Sequence, residues 1–254
     1  MAAEPSPGTR RALVTGAAKR LGAAFALDLA RRGWDLWLHY HRSETEVQDL
    51  SLRIEALGRR AWAVQADLAK GEGAEALVGA VANLPPSLIV HSASLWTQDT
   101  ASSALVDSWE SNHRLLGWTA VVLARALAGW SSQGGGEGHL VTLLDSRLRD
   151  RDPEHFSYGF AKRELAALTR YLALEWAPVV RVNGLAPGLV LRAEGASPSR
   201  WTKAGRESTP LGRTGRPADL VRALRYLVDN RFVTGQILAV DGGRHLKGDL
   251  FGSL

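Results

Sequence analysis

Thr15-Gly16-Ala17-Ala18-Lys19-Arg20-Leu21-Gly22 is the stretch from which the rest of the chain can be read. It follows a short apolar run, Ala12-Leu13-Val14, and opens a helix-like pattern over residues 21–32. The expected local structure is therefore strand, tight glycine turn, helix. Backbone N–H groups at such a helix start carry partial positive charge and bind a pyrophosphate without any side chain. Gly16 lets the chain turn, and Gly22 lets the helix sit close to the sheet. A glycine turn alone is a weak signal, but its place between a strand and a helix makes this one a nucleotide site.

Outward from this turn, apolar runs alternate with helical patterns along the whole chain. Strands are expected at residues 11–14, 34–40, 61–66, 88–92, 139–144, 179–183 and 236–240. Helices are expected at 21–32, 44–57, 73–82, 105–130, 155–176 and 217–228. The alternation predicts one α/β domain of the Rossmann type, a doubly wound, seven-stranded parallel sheet with helices on both faces. The 254 residues suffice for one large core, and no internal boundary or repeat divides them. Residues 1–9 are expected to be a flexible N-terminus. Residues 186–216, rich in Pro, Gly, Ser and Arg, are expected to form a substrate-binding loop closing over the ligand through Leu189, Val190 and Trp201.

Composition removes several function classes. There is no cysteine, which excludes disulfides, thiol catalysis and cysteine-held metals, and no metal site is expected. Residues 1–10 lack the apolar core of a secretory signal, and no apolar run is long enough to span a bilayer, so the expectation is a cytoplasmic protein. The net charge of +5 comes from scattered pairs such as Arg31-Arg32 and Arg59-Arg60, without the interleaved aromatics of a nucleic-acid face. A modest positive field still favours anionic small ligands.

In an open sheet of this kind, ligands bind beyond the carboxyl ends of the strands. The second strand ends in His39-Tyr40-His41-Arg42-Ser43. An NAD site usually places an acid here to hold the ribose hydroxyls. Its absence, with Arg42, His41 and Ser43 present, suits a 2′-phosphate and points to NADPH. Asp67 after the third strand is either an acceptor for the adenine amino group or a helix N-cap. His91-Ser92-Ala93-Ser94 after the fourth strand is small enough for close approach of a cofactor. Asp145, after the fifth strand, is a loop cap or a catalytic group. Tyr158 and Lys162 lie four apart and so share one helix face, where the ammonium is expected to lower the phenol pKa.

With these pieces in order, the chain resembles the short-chain dehydrogenase/reductase family over nearly its whole length. The matching residues are Thr15-Gly16 to Gly22, Asp67, Asn112, Tyr158 and Lys162, Asn183 with Pro187-Gly188, and Asp241-Gly242-Gly243. The resemblance implies NADPH bound at Gly16, Lys19, Arg20, Leu21, the 39–43 string, Asp67, Ser92, Ala93, Pro187 and Gly188. It implies Tyr158 as proton donor, Lys162 on the nicotinamide ribose, and Asn112 ordering a water behind Lys162. It also implies a homotetramer built on the helices at 105–130 and 155–176.

Three positions depart from the general pattern. Asp145 stands where a serine is expected, Arg20 replaces the middle glycine, and His91-Ser92-Ala93-Ser94 replaces the usual Asn-Asn-Ala-Gly. These departures, the 39–43 string and the tail Asp241–Leu246 are similar to the pteridine reductases and bacterial dihydromonapterin/dihydrofolate reductases. Ser92 departs even from that branch, which usually has Asn there. The resemblance implies reduction of a dihydropterin stacked on Trp96, with Arg20, Ser94, Asp145, Tyr158 and Leu189 lining its site. Two other readings are a ketone or acyl-thioester reductase, which would need Ser146 as hydroxyl donor, and an NADPH-binding sensor without turnover.

Overall fold

The computed structural model describes residues 10–148, 152–192, 195 and 197–247. The expected flexible terminus at 1–9 lies outside them. Seven strands, β1 (Arg11–Thr15), β2 (Asp35–Tyr40), β3 (Ala61–Gln65), β4 (Leu88–His91), β5 (Gly138–Leu143), β6 (Val180–Pro187) and β7 (Ile237–Val240), form one sheet in the order β3-β2-β1-β4-β5-β6-β7. Every pairing is parallel. The order reverses between β1 and β4, where Thr15 lies opposite His91, so the cleft expected for a ligand opens at their carboxyl ends.

Both faces of the sheet are covered, which is why its central strands are almost continuously apolar. Successive side chains point to opposite faces. Leu13, Ile89, Leu140 and Val182 pack on one side with Leu116, Leu123 and Leu165. Ala12, Val14, Leu38, Val90 and Val141 pack on the other with Phe25, Leu29, Leu50 and Leu224. Helices α1 (Arg20–Arg31), α2 (Glu44–Glu55) and α8 (Pro217–Asp229) supply the second layer. Helices α3 (Gly73–Val81), α4 (Val106–His113), α5 (Thr119–Trp130) and α6 (Phe156–Glu175) form the first.

The structure differs from the sequence expectation at two places. The helical run expected at 105–130 is broken by a π turn at Arg114–Trp118 between α4 and α5. Within it Thr119 Oγ1 donates to the Arg114 carbonyl at 3.1 Å, and Gly117 leaves room for Glu164 of α6, whose Oε1 would lie 2.6 Å from an added Cβ. The stretch 186–216, expected to be a loop, begins inside β6 and carries helix α7 (Pro198–Ser208). Pro198 at its first turn and an exposed surface in which only Gly205 is buried explain why the apolar pattern does not reveal it. A last short helix, α9 (Arg244–Lys247), follows β7. No helix among the described residues is long and apolar enough to cross a membrane.

Three strand histidines are buried and neutral. Burial lowers His39 to about 4, and burial with a nearby cation (Lys162 or Arg181) lowers His91 and His139 to about 3. In the unfolded chain each titrates near 6.5. Below that pH the unfolded state binds more protons than the folded state, so stability is lost as pH falls from 6.5 toward the folded values. With all three coupled, the steepest slope is about 4 kcal/mol per pH unit. The melting temperature, followed from about pH 7.5 to 5, should begin to drop below about 6.5, before carboxylates titrate. A flat curve over that window would show that these histidines accept protons in place.

Candidate active site

The end of β1 is held by one hydroxyl. Thr15 Oγ1 accepts the peptide N–H of Ser92 and of Ala93, both at 3.0 Å, and lies 2.9 Å from His91 Nδ1. Two donors occupy the oxygen's lone pairs, so its own proton goes to His91. This pins the turn after β4 against Gly16, which has φ +63° and whose added Cβ would sit 2.8 Å from Ala93 Cα. The Gly16 N–H donates to His39 Nδ1 at 3.1 Å. That fixes the tautomer, and His39 Nε2–H donates to the Ala66 carbonyl at 3.1 Å. Both ring nitrogens of His39 are thus spent inside the protein, and it shapes the glycine turn rather than facing the cleft.

Arg20 adopts φ +54°, a left-handed conformation rare for a side chain of this size. Its guanidinium donates to the carbonyls of Leu191 and Arg192, both at 3.1 Å, clasping the segment that follows β6. Lys19 pairs with Glu46 of α2 at 2.6 Å. Across the cleft, a Cβ on Gly188 would meet Asp241 Cα at 2.7 Å, and the Pro187 carbonyl accepts from Ser146 N–H at 3.0 Å. Leu189 is fastened by its carbonyl to Gly215 N–H at 2.9 Å, and Val190 is already buried. The cleft floor is thus backbone at Gly16, Ala93 and Gly188, with the start of α1 aimed at it. These residues fit a dinucleotide, because such a ligand needs bare backbone and helix N–H groups.

Asp67 accepts from the Ala69 N–H at 3.1 Å, and its other oxygen lies 3.6 Å from His41 Nε2. It therefore caps its own turn. Arg42 and Ser94 are exposed, while Leu21, Tyr40, Ser43 and Ser92 are half-buried.

Helix α6 brings the reactive groups together. The Tyr158 hydroxyl donates to Asp145 Oδ2 at 2.9 Å. Lys162 is buried, and its Nζ donates to the Leu143 carbonyl at 2.6 Å and lies 5.6 Å from the Tyr158 ring centre. Burial lowers Lys162 to about 8, against the opposing pull of Asp145. The expected lowering of the phenol is not what the structure gives. Burial pushes Tyr158 well above the ordinary tyrosine value, and the charge and hydrogen bond of Asp145 add to it. Tyr158 therefore stays protonated. Asn112, fully buried, donates to Thr97 Oγ1 at 2.8 Å and to the Ser108 carbonyl at 2.9 Å. Trp96 lies edge-on to Tyr158, with ring centres 4.6 Å apart, and is 3.9 Å from the His155 ring. It is half-exposed at the cleft.

Sequence reasoning missed Asp99. This buried carboxylate, from the loop after β4, accepts from Ser157 N–H at 3.0 Å and from the Ser157 hydroxyl. Its own backbone bonds Glu154 and Phe156 at 2.9 and 3.1 Å. Asp99 thus caps the first turn of α6 from another part of the chain, one residue before Tyr158. No local spacing signals it, since its partner lies 58 positions away. Replacing Asp99 by Ala strands the buried Ser157 N–H and should cost about 1–3 kcal/mol. Thermal melts should show the loss, and kcat should fall more than the affinity for cofactor. Unchanged melting and turnover would remove Asp99 from this role.

Comparison with known proteins agrees with this geometry. A family model described as enoyl-(acyl carrier protein) reductase matches residues 16–245. An uncharacterized oxidoreductase of Mycobacterium tuberculosis is 34% identical over 241 residues, covering 91% of this chain and 90% of that one. Dihydromonapterin reductase of Citrobacter koseri is 28% identical over 241 residues, covering 92% and 96%. The crystal structure of FolM alternative dihydrofolate reductase 1 from Brucella canis, complexed with NADP, superposes with a TM-score of 0.85 at 33% identity, covering 93% of this chain and 94% of that one. A glycine turn after β1, a Tyr158–Lys162 pair on α6 and a match across nearly the full length make this chain an oxidoreductase of the short-chain dehydrogenase/reductase family.

Proposed function

We propose that this chain uses NADPH to reduce a dihydropterin, such as dihydrobiopterin, dihydromonapterin or dihydrofolate, to its tetrahydro form. The observation that carries the reading is the 2.9 Å bond from Tyr158 to Asp145. A carboxylate offers no proton to a carbonyl and repels an oxyanion forming beside it. It suits a ligand edge that brings N–H donors, as a pterin does. The named activities of the Citrobacter and Brucella proteins support the same substrate class.

NADPH, when bound, supplies the hydride. Tyr158 supplies the proton, turning its hydroxyl from Asp145 to the ring nitrogen next to the carbon being reduced, so that C=N becomes CH–NH. The raised phenol pKa keeps the hydroxyl protonated, as a proton donor must be, across the working pH range. Lys162 steadies the phenolate that remains, and Asp145 accepts from the ligand's N–H groups. Asn112 Oδ1, buried without a partner among the described residues, suits a water behind Lys162. Trp96 offers a stacking wall. Arg42 and His41 suit the 2′-phosphate.

NADPH oxidation with dihydrobiopterin, dihydrofolate and an acetoacetyl thioester tests the assignment. Turnover of the thioester alone would replace it with carbonyl reduction, and binding without turnover would make the chain a sensor. Asp145→Ser should lower dihydropterin turnover about ten- to a thousandfold with nearly unchanged NADPH affinity. Removing the carboxylate also lowers the phenol pKa, so the alkaline fall in rate should move to lower pH. Arg42→Ala should weaken NADPH far more than NADH, and equal loss of both would refute the phosphate role.

We also propose a homotetramer assembled on α4, α5 and α6. Trp109, Trp118 and Phe160 are half-exposed there, and Leu174 is almost fully exposed. Light scattering at micromolar concentration should give four times the chain mass.

A further inference from the structure

Beside the Tyr158–Asp145 pair lies a set of charges that the proposed chemistry has not used. The peptide N–H of Arg147 donates to Asp145 Oδ1 at 2.8 Å, and its guanidinium Nε lies 3.7 Å from that oxygen. The other end of the same guanidinium holds Asp152 Oδ2 at 2.5 Å. That Asp152 oxygen also meets His155 Nδ1 at 2.9 Å. Trp96 roofs the group, its ring 3.9 Å from His155 and 5.5 Å from the Arg147 guanidinium carbon. All three polar side chains are largely buried.

We propose that Arg147, braced by Asp152 and His155, is a positioning residue that sets the place and charge balance of Asp145 against Tyr158. The inference rests on the proton-donor role given to Tyr158 above. The charged and titratable groups around the phenol are Asp145, Arg147 and Asp152, His155 just before α6, and Lys162 along it. Trp96 adds no charge. Two carboxylates therefore share one side of the phenol, with Arg147 as their common counter-charge. A guanidinium keeps its charge at every working pH, which neither a lysine nor a histidine in this place guarantees. Its fork holds Asp152 directly and places positive charge 3.7 Å from the Asp145 oxygen that the Arg147 N–H fixes, which leaves Oδ2 for the hydroxyl. Asp152 shows the effect: burial would raise it, but the Glu154 N–H, Arg147 and His155 together hold it below the ordinary range.

The alternative is a salt bridge that only fastens Arg147 to Asp152. Arg147→Met, Arg147→Lys and the parent separate the two, by steady-state kinetics from pH 5 to 9 and by thermal melts over about the same range. With dihydrobiopterin and saturating NADPH, Arg147→Met should lower kcat about 10- to 100-fold, the size of a misplaced reacting group, with KM changed less than about threefold. Without the cation, the paired carboxylates take up a proton at higher pH, so the acid limb of kcat should rise by about one unit. Arg147→Lys, which keeps a cation but loses the fork, should return the acid limb toward the parent's while recovering only part of the rate. A Met variant with the parent's kcat and limb would overturn the proposal.

If the parent oxidises NADPH with none of the three dihydropterins, the proposed function fails and the melts decide the positioning role. Two carboxylates left without their cation repel while ionised. The melting penalty of Arg147→Met should therefore shrink as pH falls toward 5. A penalty constant with pH would reduce Arg147 to a fastening and overturn the proposal.

Discussion

The Thr15 hydroxyl is the contact on which the cleft depends. One oxygen ties the last residue of β1 to the last residue of β4 and the two that follow it, at the point where strand order reverses. Because of it, Ala93 backbone lies against Gly16, and Gly16 in turn leaves no space for a Cβ. His39 closes the other side by accepting the Gly16 N–H. These are neutral hydrogen bonds, each worth little net, yet all are buried. An unmet partner would cost more than the bond itself contributes. The turn is thus rigid because its polar atoms have nowhere else to go.

The reactive side of the cleft is organised by charge. Burial and Asp145 raise the proton affinity of Tyr158, burial lowers that of Lys162, and the two groups are therefore driven apart in pKa. A protonated phenol beside a buried ammonium is a donor with a stabilised product. A serine in place of Asp145 would leave the phenol easier to ionise. The difference between a carboxylate and a hydroxyl at one position thus sets how readily the phenol ionises without moving the backbone.

The fold was legible because its signals are local. Strand and helix periods, the glycine turn and the Tyr158–Lys162 spacing are each contained within a few residues, and the seven strands lie where the apolar runs fall. What escaped the sequence depends on distant partners. The π turn sits where Gly117 makes room for Glu164, 47 positions away. The roles of His39 and Asp99 are set by Gly16 and Ser157. The guanidinium of Arg20, read as a phosphate or pterin contact, is directed to the Leu191 and Arg192 carbonyls of a segment about 170 residues on. The upward shift of Tyr158 arises from Asp145 through space, whereas only Lys162 is visible on the same helix face. Helix α7 was hidden because it buries almost nothing, and burial is what periodicity records.

The placement of β1 in the middle of the sheet governs the order in which this protein is made. As the chain emerges from the ribosome, β1 can pair with β2 early, but its other edge stays open until β4 has been synthesised. The Thr15 hydroxyl meets its partners only after residue 93, and Tyr158 reaches Asp145 later still. Closure of such long loops is slow, because their entropy is lost before any contact offsets it. Until then the nascent half carries an unpaired apolar strand edge, the kind of surface chaperones bind. The catalytic cleft is therefore among the last parts of the molecule to exist, and a chain truncated before β5 has its glycine turn but neither reactive group.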